Sequence, residues 1–286
     1  MIEKFLRYLE NQKRYSKNTI EAYRKDLEDF YLFCNTDYSQ IIENHNLIRN
    51  WIIELSQKGL NKKSINRKIS ALRSFYKYLM KNQIIEKNPT DKIFILKIEK
   101  KLPEFIPQND FDKLKKELFP QNFKGLRDRL IVELLYQTGI RRQELLNLKV
   151  DDIDFARRVI KVYGKRNKTR LVPMTDSLMA LIDEYLLERE KIAQTPYLII
   201  TNSGNQAYPN LIYRTVKRVL GYITNIKKRS PHILRHSIAT HLMNNGSDIN
   251  AIKEFLGHSN LSATQIYTHT SVKELTKIYK LAHPRA

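Results

Sequence analysis

Helical periodicity stops at "EKNPTDKIFILKIEKKLPEFIP" (86–107), where Pro89, Pro103 and Pro107 interrupt a charged and aliphatic stretch. Proline lacks the N–H that a helix interior needs and clashes with the preceding turn, so no helix runs through this segment. A chain of 286 residues interrupted in this way is expected to fold as two domains, 1–90 and 109–286, joined by a linker over 91–108.

The first domain reads as a small all-α bundle. In "NTIEAYRKDLEDFYLFC" Asn18 is placed to cap with Glu21 three residues on, and Ile20, Tyr23, Leu27 and Phe30 share one helical face. In "KSINRKISALRSFYKYLMKN" Ser64 is the expected cap and Ile65, Ile69, Leu72, Tyr76 and Leu79 form the buried stripe. That leaves Asn66, Arg67, Arg73 and Lys77 outward, a basic face that would suit phosphates or serve only as a solvated surface. "LIRNWIIEL" and Met1 to Glu10 supply two more helices.

The second domain reads as helix-rich with one small sheet. Helices are expected at "NDFDKLKKEL" and "LRDRLIVELLYQTG", the latter stopped by Gly139. The alternation in "RVIKVYG" and "TRLVPM" around the polar "KRNK" predicts a β-hairpin with a basic tip. Further helices follow over 176–193, 210–223, 231–243, 249–256 and 272–282.

Lys and Arg number 51 against 30 Asp and Glu, a net charge of +21. The excess is spread through both domains, which points to a polyanionic partner, with nucleic acid ahead of an anionic membrane surface. The single cysteine, Cys34, excludes a disulfide framework or a Cys-based zinc site within one chain. No apolar run is long enough to span a bilayer and the amphipathic start lacks the apolar centre of a signal peptide, so a cytoplasmic protein is expected.

Chemistry concentrates at four places. In "TGIRRQELLNL" Arg141 follows a glycine stop and Glu144 lies three residues on. A guanidinium held by a carboxylate can clamp two phosphate oxygens, or the two can be a helix-end salt bridge. Lys165 at the hairpin turn could protonate a leaving oxygen, or be a solvated turn lysine. In "SPHILRHSIATHL" His232 and Arg235 share the first turn of a helix whose N-terminus favours an anion, while His236 and His241 point elsewhere. In "LGHSNLSATQIYTHT" His258 and Tyr267 flank a short polar turn. No HExxH or Cys–His spacing occurs, so the histidines are not expected to hold a metal.

Together these side chains supply one reaction on a phosphodiester: two arginines neutralise it, a histidine takes or shares a proton, a lysine protonates the departing oxygen, and a phenol attacks. A tyrosine with a pKa of about 10 is a poor nucleophile at neutral pH and needs cations and a base beside it. A covalent phosphotyrosine would keep the energy of the broken bond for religation, where an activated water would simply hydrolyse the DNA.

Five motifs, "NTIEAYRKDL", "TGIRRQELLNL", "GKRNKTRLVP", "SPHILRHSIATHL" and "EFLGHSNLSATQIYTHT", stand in the order seen in tyrosine recombinases of the integrase superfamily, and the chain resembles the bacterial XerC/XerD type along essentially its whole length. The resemblance implies catalytic roles for Arg141, Lys165, His232, Arg235, His258 and Tyr267, with Glu144 in support. Lys165 aligns better than Lys168 with the family lysine, which leaves Lys168 as a phosphate contact; Arg67 and Lys77 are the candidate DNA contacts of the first domain. It also implies a SAM-like N-terminal bundle and a catalytic domain closing as a C-shaped clamp on duplex DNA, a homo- or hetero-tetramer on two recombination sites, a 3′-phosphotyrosine with a free 5′-hydroxyl, and no metal or nucleotide cofactor. Xer-type members resolve chromosome dimers, usually under control of the DNA translocase FtsK. The terminal segment 272–286 would dock on a neighbouring subunit. An integrase of a mobile element, a relaxing enzyme of type IB topoisomerase character and a DNA-binding protein without catalysis are the competing readings.

Overall fold

The computed structural model of the chain describes residues 1–35, 44–99, 104–164, 169–257 and 284. They fall into two units, Met1–Lys101 and Leu102–Ala286.

The first unit packs α1 (Ile2–Asn11), α2 (Lys17–Cys34), α3 (His45–Gln57) and α4 (Lys62–Lys81) around Phe5, Leu9, Leu27, Phe30, Trp51, Ile69 and Tyr76. The caps sit earlier than the motifs suggest: Ser16, not Asn18, accepts from the Thr19 N–H, and Asn61, not Ser64, accepts from the Ser64 N–H. Each helix extends back to the first residue able to bond its free amides. Between α2 and α4 the buried ammonium of Lys68 bridges Asp26 at 3.1 Å and Asp29 at 2.5 Å and lies over the Trp51 ring.

The face of α4 expected to be solvated is partly covered. Asn66 donates its amide to Leu96 O and accepts from Leu96 N, both at 2.9 Å, and Arg73 donates to Ile93 O. The chain after Pro89 therefore returns along α4 and buries Ile93. A helical projection shows which residues share a face, but not which later segment will lie on it. Arg67 donates to Asp26 and to Ala22 O, and Lys77 is exposed.

The second unit is built on α6 (Phe123–Thr138), which packs against α8 (Asp176–Glu190), α9 (Pro209–Ile223) and α10 (Pro231–Asn244). A helix enclosed on several sides must satisfy its own polar residues: Asp128 is held by Arg127, Arg218 and Thr215, and Gln137 bonds Glu133 and Thr175. Before it, "NDFDKLKKEL" forms only α5 (Gln108–Phe111) and a 3-10 turn at Lys116–Leu118. Phe111, Leu114 and Phe119 are all buried. After α7 (Arg142–Asn147), β1 (Ile153–Asp154), β2 (Val159–Tyr163) and β3 (Thr169–Pro173) form an antiparallel sheet in that order, pairing Val159 with Pro173 and Tyr163 with Thr169. The final described helix is α11 (Ile249–Leu256).

His241 packs as expected for a structural histidine, and its partners fix its tautomer. Nε2 lies 2.9 Å from Ile106 O, an acceptor, so it carries the proton, and Nδ1 accepts from the Tyr136 hydroxyl at 2.9 Å. With Ser237 Oγ accepting from Ile106 N at 2.8 Å, α10 holds the chain entering the unit on both backbone groups of one residue. Burial holds the His241 imidazole below its usual range. Its neutral form is favoured in the fold, so this stability is complete above the unfolded value of about 6.5 and is lost as pH falls through the lower folded value. His241→Leu should cost about 2 kcal/mol at pH 7 by leaving two buried partners unbonded, yet its melting temperature should fall less between pH 7 and 5 than that of the unsubstituted chain. Equal pH slopes in calorimetry would contradict the assignment.

Candidate active site

α6 ends at Gly139, whose φ of +58° is costly for other residues, and a Cβ there would meet the Leu256 side chain at 2.6 Å. This close approach brings the end of α11 against the start of α7. Arg141 is the N-cap of α7 and Glu144 its third residue, and the Glu144 carboxylate caps the helix start: the Arg141 N–H donates to Glu144 Oε2 at 2.8 Å and its Nη1 to Oε1 at 2.7 Å.

Glu144 has a second partner that the sequence reading missed. Arg170 of β3 donates Nη1 to Oε1 at 3.1 Å and Nη2 to Oε2 at 2.9 Å, so each carboxylate oxygen accepts two N–H groups. Burial alone would raise the Glu144 pKa, but the bonds and charge of Arg170 and then Arg141 outweigh it and hold the carboxylate below its usual range. The signal was available: in "TRLVP" Arg170 and Val172 lie two residues apart on one side of the strand, and both are buried while Thr169 is exposed and Leu171 half-buried. An arginine on the inward side of a strand needs a buried partner.

Three arginines also close the C-terminus of α11. Phe255 O accepts from Arg170 Nε at 3.2 Å, Leu256 O from Arg235 Nη2 at 2.6 Å, and Gly257 O from Arg141 Nη2 at 3.0 Å. Arg235 also donates to Gly139 O. Helix-end carbonyls lack internal partners and carry the negative end of the dipole, so cations satisfy them twice over. Gly257 has a φ of +67°, and a Cβ there would stand 3.0 to 3.2 Å from the Arg170 guanidinium arm.

The site is cation-rich. Burial, then the charges of Arg141 and Arg170, push Arg235 down to about 9, still charged at neutral pH. Arg141 keeps 31% of its side chain exposed, whereas Arg170 and Glu144 are buried. His232, in the first turn of α10 after Pro231, is exposed; partial desolvation followed by Arg142, Arg235 and Arg141 lowers its pKa, which leaves the imidazole neutral at pH 7. The structure thus brings together Arg141, Glu144, His232 and Arg235. Lys165, Lys168, His258 and Tyr267, together with the helix expected over 272–282, lie outside the described residues.

The phage integrase family model matches residues 104–274, and the model of the phage integrase N-terminal SAM-like domain matches residues 2–83. The tyrosine recombinase XerC of Thermodesulfovibrio yellowstonii is 36% identical over 99% of this chain and 96% of its own length. The XerD of Staphylococcus haemolyticus is also 36% identical, covering 100% of this chain and 99% of its own. The crystal structure of XerH recombinase bound to its difH substrate shares the fold with a TM-score of 0.70 at 24% identity, covering 98% of this chain and 83% of that one. The chain therefore belongs to the phage integrase family. It is a tyrosine recombinase, an enzyme of site-specific DNA strand exchange.

Because Glu144 holds two guanidinium groups in a buried place, Glu144→Ala should lower the free energy of unfolding in urea by about 3 kcal/mol or more, the usual cost of stranding a buried charge. A loss below about 1 kcal/mol would show that the arginines need no carboxylate between them.

Proposed function

We propose that the chain resolves chromosome or plasmid dimers as an Xer-type recombinase, cutting and rejoining duplex DNA through a 3′-phosphotyrosine at Tyr267. The observation that carries this reading is the cluster of three guanidinium groups around the single carboxylate of Glu144, with Arg141 partly open to solvent. Such a site is short of negative charge, and a phosphodiester would supply it.

In this mechanism Arg141 and Arg235 hold the non-bridging oxygens of the scissile phosphate, with Glu144 in support. The Tyr267 oxygen bonds to phosphorus as the bond to the 5′ oxygen breaks. The phenol proton passes to a histidine, with neutral His232 and His258 as the acceptors, and the 5′ oxygen takes a proton from Lys165. Religation is the reverse with another 5′-hydroxyl, so no metal or nucleotide cofactor is required. Lys168 contacts a phosphate, and Arg67 and Lys77 serve the DNA face of the first unit, Arg67 while still paired with Asp26.

The two domains would close as a C-shaped clamp on the site, four subunits would assemble on two sites with one or two kinds of recombinase, the segment 272–286 would dock on a neighbour, and FtsK would control the reaction in the cytoplasm. The relatives' names support the Xer-type reading, and the DNA-bound XerH structure supports DNA as the partner. No helix among the described residues is long and apolar enough to cross a membrane.

Tyr267→Phe should bind DNA nearly as the unsubstituted chain does yet form no covalent adduct with a nicked suicide substrate; an adduct from this variant would remove Tyr267 from its role. Lys165→Ala should cleave slowly, and replacing the 5′ bridging oxygen by sulfur, which leaves without a proton, should restore much of the rate. Restoration for Lys168→Ala instead would transfer the acid role to Lys168. Affinity should fall steeply with salt, because counterions displaced from phosphates gain less entropy in a more concentrated solution, and charge reversal at both Arg67 and Lys77 should reduce that slope. An unchanged slope would make their face a solvated surface.

A further inference from the structure

We infer that Arg170 is a positioning residue of the strand-cleavage reaction, holding Glu144 and the C-terminus of α11 so that Arg141 is aimed at the scissile phosphate. This inference rests on the recombinase reading above. Its geometric basis is that each of the three guanidinium nitrogens of Arg170 bonds a group inside the protein. Nη1 and Nη2 take the two oxygens of Glu144, and Nε takes Phe255 O. Buried in the strand and with its donors directed inward, it is built to hold other groups and not to touch DNA.

What it holds is the support of Arg141. Glu144 Oε1, which accepts from Arg170 Nη1, is the same atom that accepts from Arg141 Nη1. The other Arg141 terminal nitrogen, Nη2, bonds Gly257 O, two residues beyond the carbonyl that Arg170 fixes. Both anchors of the Arg141 fork are therefore registered to Arg170, one through a carboxylate and one through a helix end. The tight fit at Gly257, where any Cβ would press on the Arg170 arm, makes that second registration rigid. Arg170 also lies on the strand that follows Lys165 and Lys168 in sequence. Lysine cannot replace it: an ammonium is a point charge and cannot span both carboxylate oxygens and a carbonyl in one plane.

The test compares Arg170→Lys with the unsubstituted chain on two suicide substrates. One carries the ordinary phosphodiester. The other carries a methylphosphonate at the scissile position, where a methyl group replaces one non-bridging oxygen and removes the charge that Arg141 would neutralise. Arg170→Lys should bind the ordinary DNA with little change and cleave it at least about tenfold more slowly at saturation, as expected when a clamp is misplaced by a fraction of an ångström. On the methylphosphonate its deficit relative to the unsubstituted chain should largely disappear, because a misaimed Arg141 no longer matters.

A role confined to stability would lower both rates by the same factor, and that result overturns the assignment. So does an Arg170→Lys chain that cleaves the phosphodiester at the parent rate, or one that fails to fold as judged by circular dichroism. If the unsubstituted chain forms no adduct on either substrate, the recombinase mechanism fails and takes this inference with it. Adducts with equal losses overturn the inference alone.

Discussion

The carboxylate of Glu144 accepts from Arg141 twice and from Arg170 twice, and the site of the second unit is arranged around that fact. Without an anion between them, guanidinium groups this close and this buried would repel one another and stay poorly solvated. With it, α7, β3 and the end of α11 are fixed to one point. Arg141 precedes β1 and Arg170 lies on β3, so β1 and β2 stand between them in sequence and the network ties the sheet to the start of α7.

The same network explains why the end of α11 is where it is. Three successive carbonyls, of Phe255, Leu256 and Gly257, are each bound by a different arginine, and Gly139 leaves room for Leu256 to approach. A helix terminus that is ordinarily left to water becomes a rigid edge of the site. The next residues in the chain are the ones assigned to the second histidine and the nucleophile, so an edge held in this way would govern where they start. Buried cations that outnumber anions also cost stability, a cost that in the proposed mechanism a substrate phosphate would offset.

Much of this was legible in the sequence. The stripes of α2 and α4, the glycine stop after α6, the hairpin strands and the bounds of α11 follow from periodicity, caps and turn chemistry, and the pairing of Arg141 with Glu144 follows from their spacing. Other features depended on contacts between distant segments. The basic face of α4 looked free until the segment around Ile93 and Leu96 lay along it, bonded to Asn66 and Arg73. The helix expected over "NDFDKLKKEL" is present only as α5 and a 3-10 turn, with Phe111 and Leu114 in the core, and no periodicity in the stretch marks that break. Arg170 was passed over because a basic residue beside a basic turn reads as surface, and only strand alternation marks it as inward.

In the proposed mechanism this arginine cluster is a phosphate site with Tyr267 in line with it. The most direct measurement is a crystal structure of the chain bound to a recombination site interrupted by vanadate, which adopts the five-coordinate geometry of phosphoryl transfer. The vanadium should lie between the Arg141 and Arg235 guanidinium groups, with the Tyr267 oxygen at one apex and the 5′ oxygen at the other. Vanadate bound away from these arginines, or with an apex occupied by water or a different side chain, would contradict it.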